Sequence, residues 1–336
     1  MRLRRPNGGA VRRQHRGRLH GPSVAARPQE TGGRILIRRL CFLAVLLLEL
    51  PLLHAQSAVQ FNGAKALEYA RQFVACGPRF NGSPGLLCAQ NYLKKQLAHD
   101  NLQADTFVAS TPAGPQQMTN FIVRFPGKKD GIIVLATHYE TNYWLRNTTY
   151  VGANDGAATT GLLLEIANHL RGHTLDGYSV WLVFFDGEES VSGQWSSSDS
   201  LYGSRHLAAK WQMDGTLKKI KGFLLADMIG DRDLDVQRVT TATPAIEDLV
   251  YEAAKKTGNA SHFFKSDAAE EDDHLPFVQR GVPSADVIDS DYGPHDAEHP
   301  DGWHHTPEDT LDKLSAKSLS ISGEVFLESI RLLNAH

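Results

Sequence analysis

The sequence predicts a three-layer αβα sandwich around a mainly parallel, mixed central sheet. Short apolar segments alternate with stretches of helical periodicity, and continuously apolar strands are typical of a sheet covered on both faces. The composition agrees, because 41% of the 336 residues are hydrophobic and 22% are charged, which is too apolar for a disordered chain. A chain of this length is expected to form one large domain or two small ones.

The first 56 residues are predicted to form a basic extension and a cleavable export signal. Residues 1–39 carry 11 of the 35 basic residues and only one acidic residue. The apolar run 40–53 follows, interrupted by Glu49 and Pro51, and it is shorter than the ~20 residues of a membrane-spanning helix. We therefore expect a periplasmic or secreted protein with no stable membrane span after cleavage. An ordinary amphipathic helix is the alternative.

Residues 57–336 are predicted to form a single acidic domain. No linker, charge block or internal repeat divides the chain beyond residue 62. Removing positions 1–55 leaves 24 basic residues (35 minus 11) and 36 acidic residues (38 minus 2). Because nucleic-acid binding needs clustered lysine and arginine to neutralise phosphates, we expect no nucleic-acid partner.

The cysteines leave one disulfide question open. Cys41 lies in the predicted signal segment, so Cys76 and Cys88 remain as a pair twelve residues apart. Export to an oxidising compartment favours a disulfide between them. Two buried free thiols are the alternative.

The predicted elements follow the order expected for a parallel sheet. Helical patterns at 64–74 and 87–97 flank a turn rich in glycine and proline. Apolar strands and further helices follow in turn. The strands are expected at 132–136, 180–185, 222–225 and 285–288, and the helices at 158–170, 204–211, 244–257 and 318–333.

Side chains that can bind a metal ion lie at or near the ends of the predicted strands. In open α/β sheets, ligands bind at the carboxyl ends of the strands. The five candidates are His138, Asp155, Glu189, Asp227 and His305. Because they offer nitrogen and carboxylate oxygen but no thiolate, they fit a catalytic zinc site better than a structural one.

Each candidate also has a simpler interpretation. A single histidine at a strand end is more often a structural residue, an Asp-Gly pair is usually a turn, and a Glu-Glu pair is usually solvated surface. Several candidates at neighbouring strand ends are harder to explain in this way, because buried carboxylates together cost several kcal/mol unless a cation compensates them. We therefore expect a metal site.

The adjacent acids Glu188 and Glu189 indicate two roles for two carboxylates. One of them can bind the metal. The other, held in a partly desolvated pocket with a raised pKa, can transfer protons. We assign Glu188 as the general base and acid.

Longer motifs around these residues match a known family. Residues 184–189 read Phe-Phe-Asp-Gly-Glu-Glu, residues 273–277 read Asp-His-Leu-Pro-Phe, and His305 precedes a threonine. On these motifs the chain resembles the zinc aminopeptidases of the bacterial leucyl aminopeptidase type. The resemblance covers about residues 62–333 and implies an aminopeptidase-like fold.

Further motifs make the chain most similar to the glutaminyl cyclases within that family. Trp195 precedes a serine, and residues 199–208 read Asp-Ser-Leu-Tyr-Gly-Ser-Arg-His-Leu-Ala. Asp272 directly precedes the Asp-His motif. The glutaminyl cyclases of animals and bacteria share these features, which ordinary aminopeptidases lack.

The resemblance implies a set of zinc ligands. Asp155, Glu189 and His305 carry over as the ligands of one catalytic zinc ion. His138 and Asp227 match positions that complete a two-zinc site in the aminopeptidases. The cyclases retain both residues without filling a second site, so one zinc ion is expected for a cyclase and two for an aminopeptidase.

The resemblance also implies roles in proton transfer and substrate binding. Glu188 carries over as the proton shuttle, and Asp227 and Asp272 as its hydrogen-bond network. Trp195 and Trp303 are the candidates for the apolar wall of the substrate pocket. Packing against a neighbouring helix is the alternative for either tryptophan.

The activity implied is the conversion of an N-terminal glutamine of a peptide or protein into pyroglutamate, with release of ammonia. The alternative is a two-zinc aminopeptidase, in which Glu188 activates a water molecule for hydrolysis of N-terminal residues. A noncatalytic binding module on the same scaffold is a third possibility.

Several positions depart from the cyclase pattern. His304 stands where the cyclases usually have tryptophan, which displaces Trp303 by one position, and His305 is preferred to His304 as the ligand. Gly156 replaces a serine and Asp286 replaces a histidine of the proton network. The loop 289–301 is rich in His and Asp and is interpreted as solvated loop, with a pocket lid or a second weak metal site as alternatives.

Overall fold

An eight-stranded mixed sheet lies at the centre of the computed structural model, which describes residues 60–172, 174–300 and 302–335. The strands are β1 Gln103–Thr111, β2 Gly114–Phe125, β3 Gly127–His138, β4 Leu175–Phe185, β5 Ile220–Asp227, β6 Val236–Val239, β7 Phe263–Ala268 and β8 Ser284–Ile288. Their order in the sheet is β1-β2-β4-β3-β5-β8-β6-β7, and β4, β3, β5 and β8 are parallel neighbours. The predicted export signal lies outside the described residues.

Helices cover both faces of the sheet, which confirms the three-layer αβα prediction. Helices α1, α2, α3, α5 and α7 pack on one face, and α4 and α6 pack on the other. The helices are α1 Gly63–Val74, α2 Pro84–Gln96, α3 Thr159–Leu170, α4 Tyr202–Met213, α5 Pro244–Lys256, α6 Leu275–Val278 and α7 Ala316–Ala335.

Strand β3 shows why the apolar runs of the sequence are continuous. Successive side chains of a strand point to opposite faces of the sheet. Ile133 and Leu135 are buried in the core beneath α1 and α3, whereas Val134 and Ala136 are buried in the core beneath α4. Because both faces are covered here, apolar residues follow one another along this part of the strand.

The hairpin of β1 and β2 and the short strands β6 and β7 were not predicted from the sequence. Strand β1 lies at the sheet edge, and most of its side chains are at least partly exposed, so its sequence has no apolar run. The predicted start of α2 is also three residues late. Ser83 accepts a hydrogen bond from the Leu86 backbone N–H, and Pro84 occupies the first turn, which is a typical helix start.

A disulfide joins Cys76 to Cys88, with 5.6 Å between their Cα atoms. This pairing answers the question that the sequence left open between a disulfide and two free thiols. It links the end of α1 to α2 across the turn that contains Arg79. Among the described residues, no helix is both long enough and apolar enough to cross a membrane.

Candidate active site

The carboxyl ends of the parallel strands bring the predicted residues together. His138 is the last residue of β3, and Asp227 is the last residue of β5. His138 pairs with Phe185, the last residue of β4, so Glu188 and Glu189 emerge beside it. The candidate residues of three strands therefore share one edge of the sheet, as the sequence predicts.

Asp155 reaches this edge from the turn between β3 and α3. Gly156 follows it with φ of 85°, in the left-handed region that favours glycine. A Cβ atom there would lie 3.0 Å from Cε1 of His138. Glycine at this position therefore lets the turn approach the histidine ring.

His305 lies between two of the predicted metal-binding carboxylates. Its Nε2 is 3.0 Å from Oε1 of Glu189 and 3.5 Å from Oδ2 of Asp155. Two ligand atoms of a tetrahedral zinc ion with bonds of about 2.0–2.1 Å lie about 3.3–3.4 Å apart. The spacing of these atoms therefore fits zinc held jointly by these side chains.

His304 is a second histidine beside the carboxylate of Asp155. Its ring lies against that of His305, with 3.6 Å between the centroids. One potential ligand atom from each of Asp155, His304 and His305 lies within 4.8 Å of the others. His305 is the one that also contacts Glu189, which favours the ligand assignment made from the sequence.

His138 lies between two further carboxylate oxygens. Its Nε2 is 2.9 Å from Oδ1 of Asp155 and 3.3 Å from Oδ1 of Asp227. Both ring nitrogens and the Asp227 Oδ1 atom are buried without a hydrogen-bond partner. Although burial lowers it, the pKa of His138 is raised well above its usual value by Asp155, Asp227 and Glu140. Unpaired buried atoms at these separations fit a bound cation.

Buried hydrogen bonds hold two of the candidate ligands, Asp155 and Glu189, in place. Tyr150 donates to Oδ2 of Asp155, and Asn142 donates to Oε2 of Glu189. Asp309 accepts from the backbone N–H of Asp155 at 3.2 Å. None of these three supporting residues was predicted from the sequence, because loop positions carry no periodic pattern.

Glu188 lies beside the cluster in a buried position. Its Oε2 is 4.0 Å from Nδ1 of His138. Its backbone N–H donates to Oε1 of Glu140 at 2.6 Å, and that of Glu189 donates to the same oxygen at 3.2 Å. Burial first, and then the charges of Glu189 and Asp272, raise the pKa of Glu188 well above its usual value.

Asp272 continues this buried acidic region. It accepts a hydrogen bond from the backbone N–H of Asp273, and its Oδ2 has no hydrogen-bond partner. Burial first, and then Asp286 and Asp227, raise the pKa of Asp272 well above its usual value. Asp286, which stands where a histidine was expected, lies 3.3 Å from Nδ1 of the buried His274.

A cavity of about 590 Å³ opens above these side chains. Trp195 lines it and is 40% exposed. Trp303 is not among the lining residues. Its ring packs against Tyr292, with 5.5 Å between the centroids, and lies 4.8 Å from Nζ of Lys313. His295 of the loop 289–301 also lines the cavity.

Asp199 holds the loop that carries Trp195. One carboxylate oxygen accepts from the Val191 backbone N–H at 2.9 Å and from the Tyr202 hydroxyl at 2.7 Å. The other accepts from the Ser192 backbone N–H at 3.0 Å and from its hydroxyl at 2.5 Å. The base of the loop is therefore fixed by a buried charge.

Taken together, the αβα fold and the strand-end cluster of histidines and carboxylates define an aminopeptidase-like enzyme with a candidate metal site. Residues 120–330 match the family model of peptidase family M28. The glutaminyl-peptide cyclotransferase of Gloydius blomhoffii is 32% identical to this chain, and the match covers 74% of this chain and 76% of that protein. The chain therefore belongs to peptidase family M28 and, within it, to the glutaminyl-peptide cyclotransferase family.

Solved structures agree with this assignment. A glutaminyl cyclase from an Acidobacteriales bacterium is 57% identical, with a TM-score of 0.81 over 83% of this chain and 97% of that one. A zinc-dependent exopeptidase from Parabacteroides distasonis is 22% identical, with a TM-score of 0.73 over 83% of this chain and 100% of that one. The latter shares the fold.

Proposed function

We propose that this enzyme is an exported, zinc-dependent glutaminyl-peptide cyclotransferase that converts the N-terminal glutamine of peptides into pyroglutamate and ammonia. The observation that carries the proposal is the 57% identity to a bacterial glutaminyl cyclase. The name of the curated relative from Gloydius blomhoffii supports it, as does the buried Glu188 beside the candidate metal site.

Asp155, Glu189 and His305 are the proposed ligands of the catalytic zinc ion. Their nitrogen and carboxylate donors match the ligand preferences of zinc in catalytic sites. The chemistry that a bound zinc ion supplies here is Lewis-acid polarisation of the γ-carboxamide carbonyl of the substrate.

Glu188 is the proposed proton-transfer group. The α-amine of the substrate forms a bond to the carbon of its own side-chain amide, and the bond from that carbon to the amide nitrogen breaks. Glu188 accepts the proton that the amine loses and donates it to the departing nitrogen, which leaves as ammonia. Proton transfer of this kind typically contributes about 10²- to 10⁴-fold to the rate.

Two aspartates and one tryptophan complete the proposed site. Beyond the effect of burial, the charge of Asp272 raises the pKa of Glu188, and the charge of Asp227 raises the pKa of Asp272. We therefore assign both aspartates to the hydrogen-bond network of Glu188. Trp195 is the proposed apolar wall of the pocket. The packing of Trp303 against Tyr292 supports a structural role for Trp303 instead.

One observation favours a second candidate function, a two-zinc aminopeptidase. His138, Asp155 and Asp227 form a second group of potential ligand atoms within 4.8 Å of one another. In such an enzyme His138, Asp155 and Asp227 would hold the second metal ion, and Glu188 would serve as the base for hydrolysis. The number of metal ions bound is therefore the property that separates the two candidates.

Zinc stoichiometry and product analysis test the proposal together. We expect one zinc ion per chain, with ammonia and pyroglutamyl peptide formed from a peptide that begins with glutamine. Two zinc ions per chain with release of free amino acids would support the aminopeptidase instead. Binding of neither metal nor substrate would contradict both.

Export and domain boundaries belong to the same proposal. The basic and apolar composition of residues 1–56 supports a cleaved signal, with residues 57–336 as the single catalytic domain. The disulfide between Cys76 and Cys88 is compatible with an oxidising compartment. N-terminal sequencing of the protein recovered outside the cytoplasm tests the cleavage; an intact residue 1–56 segment there would contradict it.

A further inference from the structure

The outer wall of the cavity is acidic. Glu270, Glu271 and Asp272 follow one another between β7 and α6, and all three line the cavity. The described residues that line the cavity include seven carboxylates and three histidines but no lysine and no arginine. A cleft lined mainly by one sign of charge concentrates the opposite charge within it.

The carboxylates of Glu270 and Glu271 are available to a ligand. Glu271 is exposed and Glu270 is half-buried. Within the described part of the chain, neither carboxylate forms a hydrogen bond or an ion pair. Glu68 and Glu252, on α1 and α5, are instead paired with neighbouring Arg71 and Lys255.

Two independent observations at the same cavity point to a cationic ligand. Asp272 is only 5% exposed and lines the cavity, and its Oδ2 has no hydrogen-bond partner. Trp195 presents a partly exposed indole ring to the same space. Indole faces attract lysine and arginine side chains through cation–π interactions.

We infer that the enzyme prefers peptides in which lysine or arginine follows the N-terminal glutamine within one or two residues. The inference rests on the proposed cyclotransferase function, since the glutamine must occupy the metal end of the cavity. The side chains that follow the glutamine then extend towards the outer wall of the cavity, where Glu270 and Glu271 provide unpaired negative charge. A peptide with glutamate at these positions meets charge of the same sign.

Three matched peptides test the preference. We compare kcat/KM for Gln-Lys-Ala, Gln-Ala-Ala and Gln-Glu-Ala amides with the zinc-loaded protein at low ionic strength. We expect kcat/KM to fall in that order, by about 2- to 5-fold at each step, which corresponds to an exposed ion pair of ordinary strength. Because salt screens exposed charges, the differences should shrink in 0.5 M salt, a concentration of about three times physiological ionic strength.

A charge-matched pair of double variants localises the effect. Glu270→Gln combined with Glu271→Gln should lower the ratio of kcat/KM for the lysine peptide to that for the glutamate peptide towards one. Glu68→Gln combined with Glu252→Gln removes the same charge from helices α1 and α5 and should leave that ratio unchanged.

The outcomes separate this inference from the proposed function. Cyclisation of all three peptides at equal kcat/KM, or an equal loss of preference in both double variants, would overturn the inference alone. Failure of the wild-type protein to cyclise any of the three peptides would overturn the proposed function.

Discussion

The floor and the rim of the active-site cavity are built in different ways. The floor consists of side chains at the ends of paired strands, such as His138 and Asp227, backed by buried hydrogen bonds. The rim consists of loop residues, such as Trp195 and Glu271, which are partly or fully exposed. We therefore expect changes in the floor to act on metal binding and kcat, and changes in the rim to act on KM and substrate choice.

Removal of a metal ligand is the most severe test of the floor. Glu189→Gln should weaken zinc binding by more than about 100-fold, because loss of residues that merely support ligands already costs about 10- to 100-fold. Zinc affinity is measured by competition with a chelator. Glu165→Gln, at a buried glutamate of α3, is the matched control. Full zinc occupancy in Glu189→Gln would contradict the ligand assignment.

Glu188→Gln separates proton transfer from metal binding within the floor. The substitution keeps the size of the side chain but removes its basic oxygen, so kcat should fall by about 10²- to 10⁴-fold. Zinc content should stay at the wild-type level, because Glu188 is not among the proposed ligands. Wild-type turnover in this variant would remove the acid-base assignment.

Tyr150→Phe tests the support behind the floor. The hydroxyl of Tyr150 donates to Asp155, so its removal should lower zinc affinity by about 10- to 100-fold. Tyr69→Phe removes a hydroxyl that contacts Asn168 instead and serves as the control. Equal zinc affinities in the two variants would show that the Tyr150 hydrogen bond does not orient Asp155.

Asp199→Asn tests the rim and should have the smallest effect. The amide loses the charge that holds the base of the Trp195 loop, and we expect KM to rise by about tenfold, which corresponds to one lost hydrogen bond to a charged group. Zinc content and kcat should change little. A large fall in kcat at constant KM would contradict this expectation, because it would show that the Trp195 loop acts on the chemical step and not on substrate binding.

The contrast between residues at strand ends and residues in loops also explains which features the sequence predicted. The order of strands and helices and the gathering of His138, Asp155 and Asp227 follow from apolar runs and from the residues that end them. Parallel pairing then places these residues at one edge of the sheet, and this geometry is general for α/β sheets.

The remaining features depend on contacts that have no local pattern. Tyr150 and Asn142 act through hydrogen bonds across loops, Tyr150 to Asp155 and Asn142 to Glu189 and His305. The position of Trp303 depends on close packing, since a Cβ atom at Gly293 would lie 2.7 Å from the tryptophan ring. Strand β1 was not predicted because most of its residues are exposed, so its sequence contains no apolar run.

Arg79, in the turn closed by the disulfide, shows that the support of the active site begins upstream of the segment that matches the model of peptidase family M28. Its fully buried guanidinium donates to the carbonyl oxygens of Tyr139, Val151 and Gly152, and burial lowers its pKa to about 10. The match to peptidase family M28 begins only at residue 120. A fragment that begins at residue 120 would keep every proposed zinc ligand. It would lack Arg79, however, and would therefore leave the three carbonyl groups behind the Asp155 turn without this hydrogen-bond donor.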